Sequence, residues 1–127
     1  MNAAARRFGP RAQGHIVGVT SVAQDRGRIG RPGYCASKAG QDTFLESVRN
    51  RLWRKGVKIT TIRPGFVRTP MTDGMQLRSA ISADRAAQLI LRARDRGAAV
   101  AYVPSRWRLI MSVVRAIPSV IFRRLDV

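Results

Sequence analysis

Tyr34-Cys35-Ala36-Ser37-Lys38 sets a phenol and an ammonium four positions apart. On a helix that spacing brings both side chains to one face and close together. A positive charge beside a phenol favours the phenolate, which makes the tyrosine a better acid and base near neutral pH. A solvated surface pair has the same spacing, so the motif gains weight only from its surroundings. Ser21 lies thirteen residues before Tyr34, directly after the run Gly14-His15-Ile16-Val17-Gly18-Val19-Thr20. Alone, Ser21 and Thr69 read as loop-edge or capping residues. His15 and Cys35 lack a partner for nucleophilic work and read as bystanders.

The elements around these residues follow from pattern. Ile16 to Val19 is apolar and largely β-branched, bounded by Gly14 and a long loop, which predicts a buried strand over 15–20. Gly-Arg-Ile-Gly-Arg-Pro-Gly then breaks the chain, with Pro32 suited to a first helical turn. From Tyr34 to about Arg54, Phe44, Leu45, Val48 and Leu52 recur at helical spacing, and Gly56 supplies a stop. A second strand is expected over 57–62, breaking at Pro64-Gly65. A helix follows from a Ser82 cap with Asp84 in its first turn, running to Gly97, and a third strand over 100–104. Strands separated by helices predict an α/β fold in which the three strands are parallel neighbours. Such folds gather ligand sites at the carboxyl ends of the strands, where Ser21 and Tyr34 would stand.

After Pro104, the segment 105–127 mixes Trp107, aliphatic residues and Arg, and Pro118 should split it into two short helices. Trp107, Ile110, Val114 and Ile117 form the expected apolar stripe. Two readings stay open for this tail: helices packing on the domain, which is favoured, or an interfacial segment on a membrane.

Twenty-four basic residues against seven acidic ones give a formal charge of +17. That charge attracts anions of any kind. It is spread from Arg6 to Arg124 without a long run, which argues against a dedicated nucleic-acid arm. The single cysteine and the lack of paired Cys/His spacing point to a reducing, cytoplasmic setting with no metal site. No stretch approaches the roughly 20 apolar residues of a spanning helix, and residues 1–13 do not read as a secretory signal.

Taken together, a strand ending in Ser21, a glycine-containing loop, Tyr-x-x-x-Lys opening a helix, a second strand and then Pro64-Gly65-Phe66-Val67-Arg68-Thr69 resemble the short-chain dehydrogenase/reductase family in order and spacing. The likeness runs from about Gly14 to Thr72, and the later helix and strand resemble the end of that fold. It implies a partial Rossmann-type domain over 1–104, holding the last strands of a doubly wound sheet, followed by a basic amphipathic helical tail over 105–127. It further implies an oxidoreductase that interconverts an alcohol and a carbonyl by hydride transfer with NAD or NADP. Tyr34 would exchange a proton with the substrate oxygen, Ser21 would hydrogen-bond the same oxygen, and Lys38 would bind the nicotinamide ribose and support the phenolate. Besides Tyr34 and Lys38, the cofactor contacts implied are Pro64 and Gly65, whose turn brings backbone near the nicotinamide, with Val67 and Thr69 near its carboxamide.

A dinucleotide site of this class begins with a strand, a Gly-rich turn and a helix. Residues 1–20 carry no such segment and read as the end of a helix, Asn2 to Phe8, running into the first strand. The expectation is a truncated chain that holds the chemical end of the site, has little activity of its own and does not reveal the choice between NAD and NADP. An alternative is a catalytically silent relative that forms a homo-oligomer or pairs with a complete homologue through the helix face 44–52. A third reading lays the tail, 105–127, on an anionic membrane surface as a peripheral contact.

Overall fold

The computed structural model describes residues 2–77 and 79–125; Met1, Arg78 and positions 126 and 127, which fall within the two expected segments, lie outside it. The chain runs from helix α1 (Asn2–Phe8) into strand β1 (His15–Val19), a 3-10 turn (Val22–Asp25) and the long helix α2 (Pro32–Trp53). Strand β2 (Lys58–Pro64) leads to two short strands, β3 (Val67–Arg68) and β4 (Ile81–Ser82). Helix α3 (Ala83–Asp95), strand β5 (Val100–Val103) and helices α4 (Arg106–Ala116) and α5 (Ser119–Phe122) complete it.

The three longer strands form one parallel sheet in the order β1-β2-β5, with Val17 opposite Thr60 and Ile62 opposite Ala101. Side chains alternate faces along each strand, so the sheet offers two apolar surfaces. Ile16 and Ile59 pack with Leu45, Val48 and Leu52 of α2, while Val17 and Ile62 pack with Ala86, Leu89 and Ala93 of α3. Helices therefore cover both faces, as parallel crossovers require. Polar groups caught in the sheet are paired: Thr60 Oγ1 donates to the Ala98 carbonyl at 2.6 Å, and Arg49 Nη1 donates to Thr61 Oγ1 at 3.1 Å.

Local signals set the helix ends. Pro32 opens α2, where a missing N–H costs nothing. Gly56, at φ 71°, turns the chain out of it into β2. Ser82 caps α3 by accepting from the Arg85 amide at 3.2 Å.

Three expectations change in the structure. Strand β2 begins at Lys58 and runs through Pro64, two residues beyond the expected 62, and breaks at Pro64-Gly65 as expected. The apolar side chains of the helix face 44–52 are not available for a partner, because Leu45, Val48 and Leu52 are buried on the chain's own strands and only Phe44 is exposed. In α4 the buried residues are Trp107 and Met111, while Ile110 of the expected stripe is 41% exposed. Apolar residues cover more than half of that helix's circumference, and the docking surface selects which of them go inward. That surface is Val22, Phe66 and Tyr102, with Trp107 edge-on to Phe66 at 5.2 Å. The pairing of β3 with β4 was not anticipated. Among the described residues no helix is long and apolar enough to cross a membrane, and no group of three His, Cys, Asp or Glu is placed to hold a metal ion.

Candidate active site

The carboxyl ends of β1 and β2 open into a cleft of about 530 Å³. Ser21, Tyr34, Pro64, Gly65, Val67 and Thr69 all line it, and so do Phe66, Met71 and Ile90. The expected residues arrive from three parts of the chain: the end of β1, the start of α2 and the end of β2 with the stretch that follows it. Ser21 follows β1 in extended conformation and caps the 3-10 turn, its Oγ accepting from the Ala23 amide at 3.1 Å. Tyr34 stands in the first turn of α2, half-buried. Pro64 ends β2, and the Gly65 amide donates to the Val103 carbonyl at 2.9 Å, which extends the ladder by one bond.

Lys38 lies one turn beyond Tyr34, with Nζ 5.8 Å from the centroid of the phenol ring. Its ammonium donates to Gln41 Oε1 at 3.3 Å and does not reach the cleft wall. Five of the six expected cofactor-contacting residues thus share one cavity, while Lys38 stands behind Tyr34.

Val67 and Thr69 are held by a hydroxyl that the sequence reading passed over. Thr72 Oγ1 accepts from the Thr69 amide at 2.9 Å and reaches the Val67 and Thr69 carbonyls at 2.8 and 3.0 Å. The signal was a hydroxyl residue three positions after another, a spacing that closes a short turn.

Gly65 has a requirement of its own. A Cβ built there would collide with Nε1, Cε2 and Cδ1 of Trp107. The glycine is therefore demanded by the tail helix packing under the turn, whatever binds above it. Most of the cleft wall is apolar, and its polar groups include the Ser21, Tyr34, Thr69 and Thr72 side chains. Such a lining, apolar with a few polar groups, is that of a small-molecule site.

The sequence pattern of the family described as short chain dehydrogenase matches residues 1–79. The chain is 37% identical over 117 residues to an uncharacterized oxidoreductase of Streptomyces coelicolor, covering 91% of this chain and 47% of that one. It is 35% identical over 95 residues to the 3-oxoacyl-[acyl-carrier-protein] reductase FabG of Vibrio cholerae, covering 73% of this chain and 39% of that protein. A crystal structure of a short chain dehydrogenase from Burkholderia cenocepacia in complex with NADP superposes with a TM-score of 0.81 at 24% identity, over 97% of this chain and 53% of that one. That likeness shows the fold. The chain belongs to the short-chain dehydrogenase family, and it spans about half the length of the Streptomyces relative.

Proposed function

We propose that this chain carries the reacting end of an NAD(P)-dependent oxidoreductase that interconverts an alcohol and a carbonyl. The observation that carries the reading is the shared cleft: Ser21, Tyr34 and the stretch with Pro64, Gly65, Val67 and Thr69 come from three parts of the chain and line one cavity at the strand ends. A bound nicotinamide would supply or accept the hydride there. Tyr34 gives its phenolic proton to the substrate oxygen during reduction and takes one back during oxidation. Accepting from the Ala23 amide uses one lone pair of Ser21 Oγ and leaves its own hydrogen to bond that substrate oxygen. Lys38 lies behind the ring and places positive charge near the phenolate that forms.

The test follows nicotinamide absorbance with a panel of alcohols and ketones. Both this chain and this chain joined to the remainder of the Streptomyces relative are measured. In whichever form turns over, Tyr34→Phe should lower turnover at least about a hundredfold, the range of a lost general acid. Full activity of Tyr34→Phe would overturn the assignment.

A second reading concerns α4 and α5. Leu109 is 73% exposed and Val113 59%, with Val120 and Ile121 exposed beyond them. Residues 105–127 hold five arginines, Arg106, Arg108, Arg115, Arg123 and Arg124, against one acidic residue, Asp126. We propose that this face rests on anionic lipid, whose charge complements it. Sedimentation with anionic vesicles at low and high salt tests this: Leu109→Ser with Val113→Ser should abolish binding. Equal binding to neutral vesicles, or no effect of the variants, would refute it.

A further inference from the structure

Beneath the cleft lies a polar arrangement that the chemistry above does not use. Asp42 stands one turn beyond Lys38 and two beyond Tyr34, on the same face of α2. Its carboxylate is buried and accepts from Arg63 twice, from Nε at 3.0 Å and Nη2 at 2.6 Å. The Thr20 hydroxyl also reaches it, at 3.2 Å, sharing its single hydrogen with the Ile62 carbonyl at 3.0 Å. Thr20 immediately precedes Ser21, and Arg63 immediately precedes Pro64-Gly65. One carboxylate on the Tyr34 helix is thus bonded to both strand ends that deliver the other cleft residues.

The chain of bonds continues. Arg63 Nη1 donates to the Tyr102 hydroxyl at 2.9 Å, and that hydroxyl donates to Asp25, 3.0 and 3.1 Å from its two oxygens. Asp25 ends the turn that Ser21 caps, and its side chain is 1% exposed. The Ser21 turn is therefore held at its start through Thr20 and at its end through Tyr102. Burial works against the Arg63 charge, and the bonds to Asp42 and Tyr102 overcome it, holding the guanidinium above its ordinary range.

We infer that Asp42 is a positioning residue, which through Thr20 and Arg63 keeps the Ser21 turn and the Pro64-Gly65 turn in register with the helix bearing Tyr34 and Lys38. This rests on the catalytic reading of Ser21 and Tyr34. The reason to look beyond stability is that a buried ion pair holds little advantage over a well-packed apolar pair, because desolvation offsets the attraction. Direction is what the apolar pair cannot supply.

That contrast gives the experiment, made on this chain by amide hydrogen exchange and NMR. In the paired variant Asp42→Leu with Arg63→Met, the unfolding midpoint should stay near that of the parent. The Ala23 and Gly65 amides, which report the two turns, should exchange at least about tenfold faster while the amides of Leu45 and Val48 keep their protection. The carbon shift of Tyr34 Cζ should move as well. Unchanged exchange at both turns in the folded pair would overturn the inference. If the pair does not fold, Tyr102→Phe keeps the ring and removes only the bridging hydroxyl. It should speed Ala23 exchange with the α2 amides unaffected, and an unaltered Ala23 would count against the inference equally. The exchange readout needs no turnover. An active Tyr34→Phe enzyme would remove the catalytic reading without touching these results.

Discussion

Replacing Gly65 by alanine tests the packing that supports the cleft floor. The added methyl would occupy the place of three ring atoms of Trp107. Trp107 cannot simply swing aside, since it is 6% exposed, edge-on to Phe66 and packed with Val22 and Met111. Either the backbone at 65 retreats, which loosens the bond from its amide to Val103, or the indole leaves its site. Overpacking absorbed by small shifts costs about 1–3 kcal/mol. Loss of a buried aromatic ring costs about 3–5 kcal/mol. Gly65→Ala should therefore destabilise by at least about 1 kcal/mol, and more if the tail detaches. Urea unfolding followed by tryptophan fluorescence reads both effects, because Trp53 is 76% exposed and the buried emission comes from Trp107. In a Trp107→Leu background the same alanine should cost less than about 0.5 kcal/mol, and the cycle would give their coupling. A Gly65→Ala chain with parental stability and unshifted emission would refute the packing argument.

Two further outcomes are expected. Burial, with Lys58 and Arg94 nearby, holds the His15 imidazole below its ordinary 6.5, so the unfolded chain takes up its proton first. Stability should fall as pH drops from about 6.5 toward the folded value, and His15→Asn should flatten that slope in thermal melts; an unchanged slope would contradict it. Leu45 is fully buried between α2 and the sheet, so Leu45→Ala should lower unfolding free energy by about 2–5 kcal/mol. A loss below about 1 kcal/mol would mean that the site collapses without leaving a cavity.

Much of the fold could be read from the residues because local and tertiary preferences agree there. The runs at 16–19 and 59–62 pair as strands, with Ile16, Ile59 and Ile62 buried in the core, and Ser82 caps a helix as its position suggests. Periodicity failed where it was degenerate: with apolar residues around most of α4, the expected stripe took Ile110, while packing on Phe66 and Val22 buries Met111 instead. The two-residue strands β3 and β4 are too short to carry a period, and their pairing depends on Ile81 returning to Phe66, fifteen residues away. The cleft residues Ser21 and Tyr34 were legible once their spacing was joined to the strand before them and the Pro64-Gly65 turn after them, a combination that resembles a known family. Asp42, Arg63 and Tyr102 were not, because a charged residue on a helix or strand reads as surface until its partner 21 or 39 positions away is known.

Arg26 ties the turn after Ser21 to the junction of α4 and α5. Its guanidinium donates to the Val114 and Ile117 carbonyls at 2.6 Å each and covers the Phe122 ring at 3.8 Å. These contacts close loops of 88 and 91 residues, and loop closure over such lengths comes late because its entropy is lost before any contact forms. The turn that Ser21 caps and the carbonyls that clamp it therefore lie in different parts of the sequence and meet only once the tail has docked. Removing α5 would take away only the Phe122 ring, whereas removing α4 as well would take both carbonyls that Arg26 grips. The Ser21 side of the cleft is thus steadied by the tail helices as well as by the strand that delivers it, so a change in α4 or α5 is felt at the reacting end.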